Sequence, residues 1–273
     1  MRSHIIILAA GLLIAQSLSA DETLIMTAPP RESVEKGQDQ YQVTAEYISE
    51  VLGKPVRYEH PGDWLSYQND MRNGKYDIVF DGPHFASWRV AHLDNEMLVR
   101  LPGTLQFYLV TSADRKDING PDDMIGKKFC GISPPNLSSL SILGHFRNPV
   151  RQPVIKGIRG GMGAVYKAFK KGDCDAMVLR TSFYKNKLKD EDRKDLKIIF
   201  TSAAMPNQSI SSSPKLNPDE RQKLRAALLN PEGTKALQPT LNRFARRAKG
   251  FIETGNEEFR GYNNLLEGVI FGW

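Results

Sequence analysis

Several arginines, hydroxyls and one histidine stand at points where the chain is expected to leave a strand. Arg31 lies in the loop Ala28-Pro29-Pro30-Arg31-Glu32-Ser33. Its planar guanidinium suits bidentate contact with an oxyanion better than a lysine would. Asp81, Gly82, Pro83 and His84 form a second such exit, and Pro134-Pro135-Asn136-Leu137-Ser138-Ser139 a third. In the third, two prolines force an extended path, and Ser138 or Ser139 is placed to cap a helix whose first amides would attract an anion. Arg180 follows directly on the apolar run Ala176–Leu179. Each feature alone also fits an ordinary capped helix, solvated turn or surface arginine. Taken together they point to holding a small anion. Trp64, Phe80 and Tyr108 could supply the walls of its pocket.

Catalytic signatures are missing from the chain. It carries no G-x-S-x-G, no H-E-x-x-H, no P-loop and no dinucleotide fingerprint. Gly160-Gly161-Met162-Gly163 is an isolated glycine cluster, and His84 has no nucleophile or orienting acid at a telling spacing. A binding protein is expected rather than an enzyme, with no cofactor and no resident metal. An enzyme using His84 and Asp81 is the reading from another class. It would require turnover that is lost in His84→Ala.

The elements that must position these groups alternate between strand and helix. The central stretch is Tyr76–Phe80, a buried strand that Gly82 and Pro83 stop, followed by a helix from Phe85. Before it come a strand at Thr23–Thr27, a helix at Tyr41–Leu52 ended by Gly53, a strand at Pro55–Glu59 and a helix at Trp64–Met71. Strands separated by helices predict a parallel sheet covered on both faces. The first unit closes near Leu101-Pro102-Gly103. A second, smaller α/β unit then carries strands at Leu105–Val110, Lys127–Ile132, Val154–Ile158, Cys174–Leu179 and Lys197–Phe200. Its helices are expected at Leu140–Phe146 and Ala164–Lys171, and Asn217-Pro218-Asp219-Glu220 caps a helix reaching Leu229.

Composition excludes several classes. The chain has 273 residues, 40% hydrophobic and 25% charged, with a net charge of +6. Its basic residues are dispersed, apart from Arg243-Phe244-Ala245-Arg246-Arg247, so nucleic acid is not an expected partner. A modest positive field favours encounter with anions. Met1 to Ala20 has a basic start at Arg2, an apolar run from Ile5 to Ala15 and small residues before Ala20. This fits a cleaved export signal; a membrane anchor would need about 20 apolar residues. Two cysteines, Cys130 and Cys174, sit at equivalent places on expected strands. In an exported chain they predict a disulfide, the rival being a thiol pair for a soft metal or metalloid.

In order and spacing these pieces resemble the periplasmic substrate-binding proteins for phosphonate, phosphite and phosphate of ABC-type importers. The resemblance covers nearly the whole mature chain. It rests on Tyr41–Val56, Asp63-Trp64, Gly74–Pro83, Asp123–Phe129, the Pro-Asn-x-Ser-Ser loop at Pro135–Ser139, Gly160-Gly161, and Gly172–Ala176. It implies a two-lobe α/β fold of type II with a hinge of two crossing strands, near Leu101–Gln106 and Thr201–Gln208. Residues 1–20 would be the signal, 21–103 with 206–273 one lobe, and 104–205 the other.

The same resemblance implies ligand contacts from Asn136, Ser138 and Ser139 on the second lobe, and from Trp64 and the Asp81-Gly82-Pro83 turn on the first. Two departures bear on specificity. The family's Ser-Thr-Ser run is Leu-Ser-Ser here, and Arg180 stands where relatives that take aminophosphonates carry acidic groups. Asp81 would repel an oxyanion unless it were protonated or paired with Arg31 or His84. The expectation is a monomeric periplasmic protein that captures a small anion. It would pass the ligand to the permease of an ABC-type importer, or present its closed form to a sensor kinase.

Overall fold

The computed structural model describes residues 23–267, so the expected signal at 1–20 lies outside the described residues. The chain opens with β1 (Leu24–Thr27), β2 (Val56–Tyr58), β3 (Ile78–Asp81) and β4 (Glu96–Arg100), joined by helices Val34–Leu52, Trp64–Arg72 and Pro83–His92. A short β5 (Thr104–Leu105) leads out. A second set follows: β6 (Phe107–Ser112), β7 (Lys128–Gly131), β8 (Val154–Gly157), β9 (Ala176–Arg180) and β10 (Leu196–Thr201). The return path is β11 (Met205–Pro206), β12 (Ser209–Ser212) and β13 (Ile252–Glu253). The first sheet has the order β13-β4-β12-β3-β1-β2, and the second β10-β6-β9-β7-β8. Between them β5 and β11 pair antiparallel, Leu105 opposite Met205, where the two crossing strands were expected. The result is a two-lobe, type II arrangement.

Both sheets are mixed, not wholly parallel. β1, β2 and β3 run parallel, but the returning β12 pairs antiparallel with both β3 and β4. In the second lobe β6 is antiparallel to β9 and β10. A chain that leaves a lobe and comes back must enter its sheet from the other end, and alternation of elements cannot reveal that. The first helix also begins seven residues earlier than its apolar spacing indicates. Ser33 caps it by accepting from Lys36 N, and Gly53, at φ 69°, closes it by donating to Ser49 O. Helix Leu137–Leu143 likewise starts ahead of Leu140, because Asn136 is its cap. The capping box at Asn217 and Glu220 is formed as expected.

Each lobe encloses its own apolar core, the first around Met26, Tyr41, Ile48, Phe80 and Leu224, the second around Leu109, Phe129, Ile142 and Val178. Cys130 on β7 is bonded to Cys174, just before β9, with Cα atoms 5.6 Å apart. β7 and β9 are parallel neighbours, so the two positions fall within reach. A terminal segment then spans both lobes. Phe259 is buried with Ala86 and Met97 of the first lobe, and Asn263 bonds Ser87. Tyr262 and Leu265 pack on the second-lobe core, where a Cβ on Gly144 would come within 2.7 Å of Leu265. Among the described residues no helix is long and apolar enough to cross a membrane.

Candidate functional site

The exit from β3 sets one wall of the interlobe cleft. Gly82 is the cap of helix Pro83–His92, with φ −81° and ψ 162°, and no side chain caps this helix. A Cβ on Gly82 would come within 3.0 Å of the His84 ring, so glycine lets the imidazole fold back over the turn. His84 Nε2 donates to Pro135 O at 3.0 Å, a bond from the first lobe to the second. Burial pulls the His84 pKa down to about 3; the Pro135 carbonyl opposes this and the Arg31 charge adds to it. The ring is therefore neutral, with its proton on Nε2. Its Nδ1 is buried without a hydrogen-bond partner.

Arg31, in the loop after β1, reaches the same turn. Its Nη2 lies 4.0 Å from where a Cβ on Gly82 would be, and its guanidinium stands 5.6 Å over the Phe244 ring. Its Nη1 is buried with no partner, and Arg31 forms no ion pair among the described residues. Arg180, the last residue of β9, faces the cleft from the second lobe opposite Phe107 in register. Partial burial lowers its pKa, and no acid partners it among the described residues. Arg243 joins them but is paired with Glu32 at 2.9 Å.

A cavity of about 300 Å³ separates these groups. Arg31, Trp64, Gly82, His84, Asn136 and Arg180 line it, drawn from five places far apart in the chain. Asp81, Pro83, Tyr108, Ser138 and Ser139 do not line it, and neither does Phe80, which is buried in the first-lobe core. The reasons are local. Asp81 is fully buried beneath the turn, bonded to Arg89 Nε at 3.1 Å and to the Tyr67 hydroxyl at 2.9 Å. Burial pushes its carboxyl pKa up against the pull of Arg89 and Tyr67. Its partner is thus Arg89, not Arg31 or His84, and its charge does not confront a ligand. Tyr108 packs edge-on against Tyr184 at 5.4 Å. Ser138 donates from N and Oγ to Asn136 Oδ1, while Ser139 Oγ donates to Ile132 O at 2.6 Å. Of the hydroxyls expected to meet the anion, that of Ser138 is turned into the helix cap and that of Ser139 toward the end of β7, leaving Asn136 as that loop's side-chain polar contribution to the cavity.

Sequence reasoning missed the apolar half of the site. Phe85 and Phe244 line it from the first lobe, Ile132, Leu137 and Met162 from the second, and Leu105 with Gln208 at the crossing. Phe85 follows His84 in a helix already marked for binding, so its place there was within reach of the sequence. Phe244 and Met162 come from segments with no local signal for a site. No aspartate or glutamate is among the lining residues.

Comparison with known proteins bears on the same chain. Residues 26–259 match a family model described as an ABC transporter, phosphonate, periplasmic substrate-binding protein. The phosphate-import protein PhnD of Mycolicibacterium smegmatis is 24% identical over 254 residues, 82% of this chain and 77% of that protein. Two solved structures share the fold. PhnD1 from Prochlorococcus marinus, in complex with methylphosphonate, superimposes with a TM-score of 0.65 at 15% identity, over 91% of this chain and 100% of that one. XAC2383 from Xanthomonas citri, bound to ATP, gives 0.68 at 12% identity, over 90% and 97%. A two-lobe scaffold, a cleft with cationic groups on both walls, and a family match spanning nearly all described residues agree: the chain belongs to the phosphonate family of periplasmic substrate-binding proteins of ABC transporters.

Proposed function

We propose that this protein captures a phosphorus oxyanion between its lobes and delivers it to the permease of an ABC-type importer, acting as a monomer without chemical change to the ligand. The lobes that close are residues 21–103 with 206–273, and residues 104–205. The carrying observation is that Arg31 and Arg180 enter one cleft from opposite lobes without acid partners, while the cleft lining holds no carboxylate. A guanidinium half removed from water has lost hydration, and an anion with several oxygens restores it by paired hydrogen bonds. Because the two arginines sit on different lobes, one anion bonded to both draws the lobes together, so binding and closure are a single event. The unpartnered Nδ1 of His84 is an acceptor and suits a ligand oxygen that carries a proton. The mycobacterial phosphate importer and the methylphosphonate complex show which oxyanions relatives of this scaffold hold, in support of that ligand class.

Titration calorimetry with inorganic phosphate and methylphosphonate tests the assignment. Arg31→Ala and Arg180→Ala are each expected to weaken the tighter of the two ligands by roughly tenfold to a hundredfold, the range for losing hydrogen bonds to a charged group. Unchanged affinity in both variants would remove the oxyanion clamp. Reconstitution with the permease then separates import from sensing, since only import requires the closed form to raise transport.

A further inference from the structure

Resting on the oxyanion reading above, we infer that the ligand carries an apolar, preferably aromatic substituent and not an ammonium group. Three observations converge on this. First, the cavity of about 300 Å³ is several times what an inorganic oxyanion fills, being equivalent to about ten waters at ~30 Å³ each. Second, the wall leading away from the charged end is a row of rings. His84 lies 4.2 Å from Phe85, and Phe85 stacks on Trp64 at 6.1 Å with an interplanar angle of 18°. Arg31, Gly82 and His84 mark the oxyanion end of that row, and half-buried Trp64 its far end. Met162 lines the cavity from the other lobe, a flexible side chain suited to a flat apolar face.

Third, no carboxylate lines the cavity. Asp81 is held by Arg89 and Tyr67, and Glu32 by Arg243. Asp63, beside Trp64, keeps its charge but lies outside the lining, where it caps a helix by accepting from Ser66 N at 2.8 Å and from Ser66 Oγ at 3.2 Å. An ammonium drawn along the row would therefore lose its water without meeting a carboxylate in the lining, in a cavity whose unpaired charges are those of Arg31 and Arg180. An apolar ring would gain the burial of its own surface and that of Trp64.

The experiment is calorimetric titration of the purified chain with inorganic phosphate, methylphosphonate, phenylphosphonate and 2-aminoethylphosphonate. Phenylphosphonate should bind tightest, exceeding 2-aminoethylphosphonate by at least about tenfold, since burying even two methylene equivalents is worth that much. Trp64→Ala should shrink the phenyl-to-methyl preference, and Met162→Ala, at a half-exposed position, should do so without touching the packing around Trp64. The inference is overturned if 2-aminoethylphosphonate matches or exceeds phenylphosphonate, or if neither variant alters the preference. If phosphate and methylphosphonate bind tightest, the oxyanion assignment stands and only the substituent claim falls. If none of the four binds, both fall.

Discussion

At the scale of single residues, the site is governed by which charges are spoken for. Asp81 and Arg89, both fully buried, form a pair beneath the cleft floor. The net field in the cavity therefore comes from Arg31 and Arg180. His84 adds a pH dependence. In the unfolded chain its ring takes a proton near pH 6.5; in the fold, burial delays this to about pH 3. Between those values the unfolded state holds more protons, so acidification costs stability, and the loss is complete below the lower value. The melting temperature is expected to fall as pH drops through this window, and His84→Gln, which does not titrate, should flatten that part of the profile. A profile identical to that of the unaltered protein would mean the ring is already protonated in the fold. Several residues that line the cavity were legible from sequence because strand ends announce themselves: Arg31, Gly82, His84 and Arg180 all follow an apolar run. Ser138 and Ser139 were misleading, since a hydroxyl at a helix start serves the backbone around it before any ligand: Asn136 accepts from Ser138, and the Ile132 carbonyl from Ser139.

At the scale of elements, the disulfide ties the start of β9 to β7 across 44 residues of chain. Closing a loop of that length in the unfolded state is worth roughly 2–4 kcal/mol. Replacing both cysteines by serine should lower stability by about that amount, read from denaturant midpoints, and denatured unreduced protein should titrate no free thiol. Two free thiols would refute the bridge. The cysteine positions were readable because each follows a glycine turn at or just ahead of an apolar strand, Cys130 within β7 and Cys174 two residues before β9. β4 and β12 escaped notice for opposite reasons. Glu96–Arg100 has charged ends that mask a buried Met97-Leu98-Val99. Ser209–Ser212 has almost no hydrophobic signal, yet every residue is buried, because the strand bonds on both edges and sits mid-sheet. What fixes that strand is its place between β3 and β4, which no local pattern encodes.

At the scale of the whole molecule, the lobes meet at the β5–β11 crossing, at the His84–Pro135 bond and along the terminal segment. Leu266 is buried against Tyr67, Phe85 and Trp88 of the first lobe and against Leu140 of the second. Leu265→Ala should loosen this contact at little cost to either core, because Leu265 is only partly buried. We expect the ligand-free protein to gain an extended population, seen as a larger radius of gyration in small-angle scattering, and the ligand to dissociate faster. Identical scattering curves would show that the segment follows the first lobe passively.

Two bodies joined by a pair of crossing strands keep one easy rotation, like a door on its hinge pins. A third joint placed off that axis acts as a door chain. The segment from Phe259 to Glu267 is such a joint: it is anchored on one side through Ser87 and His92 and on the other by Leu265 against Gly144. We expect its slack, not the hinge, to set how wide the entrance can open. It would thereby set an upper size for admitted molecules, independent of how well they fit once inside.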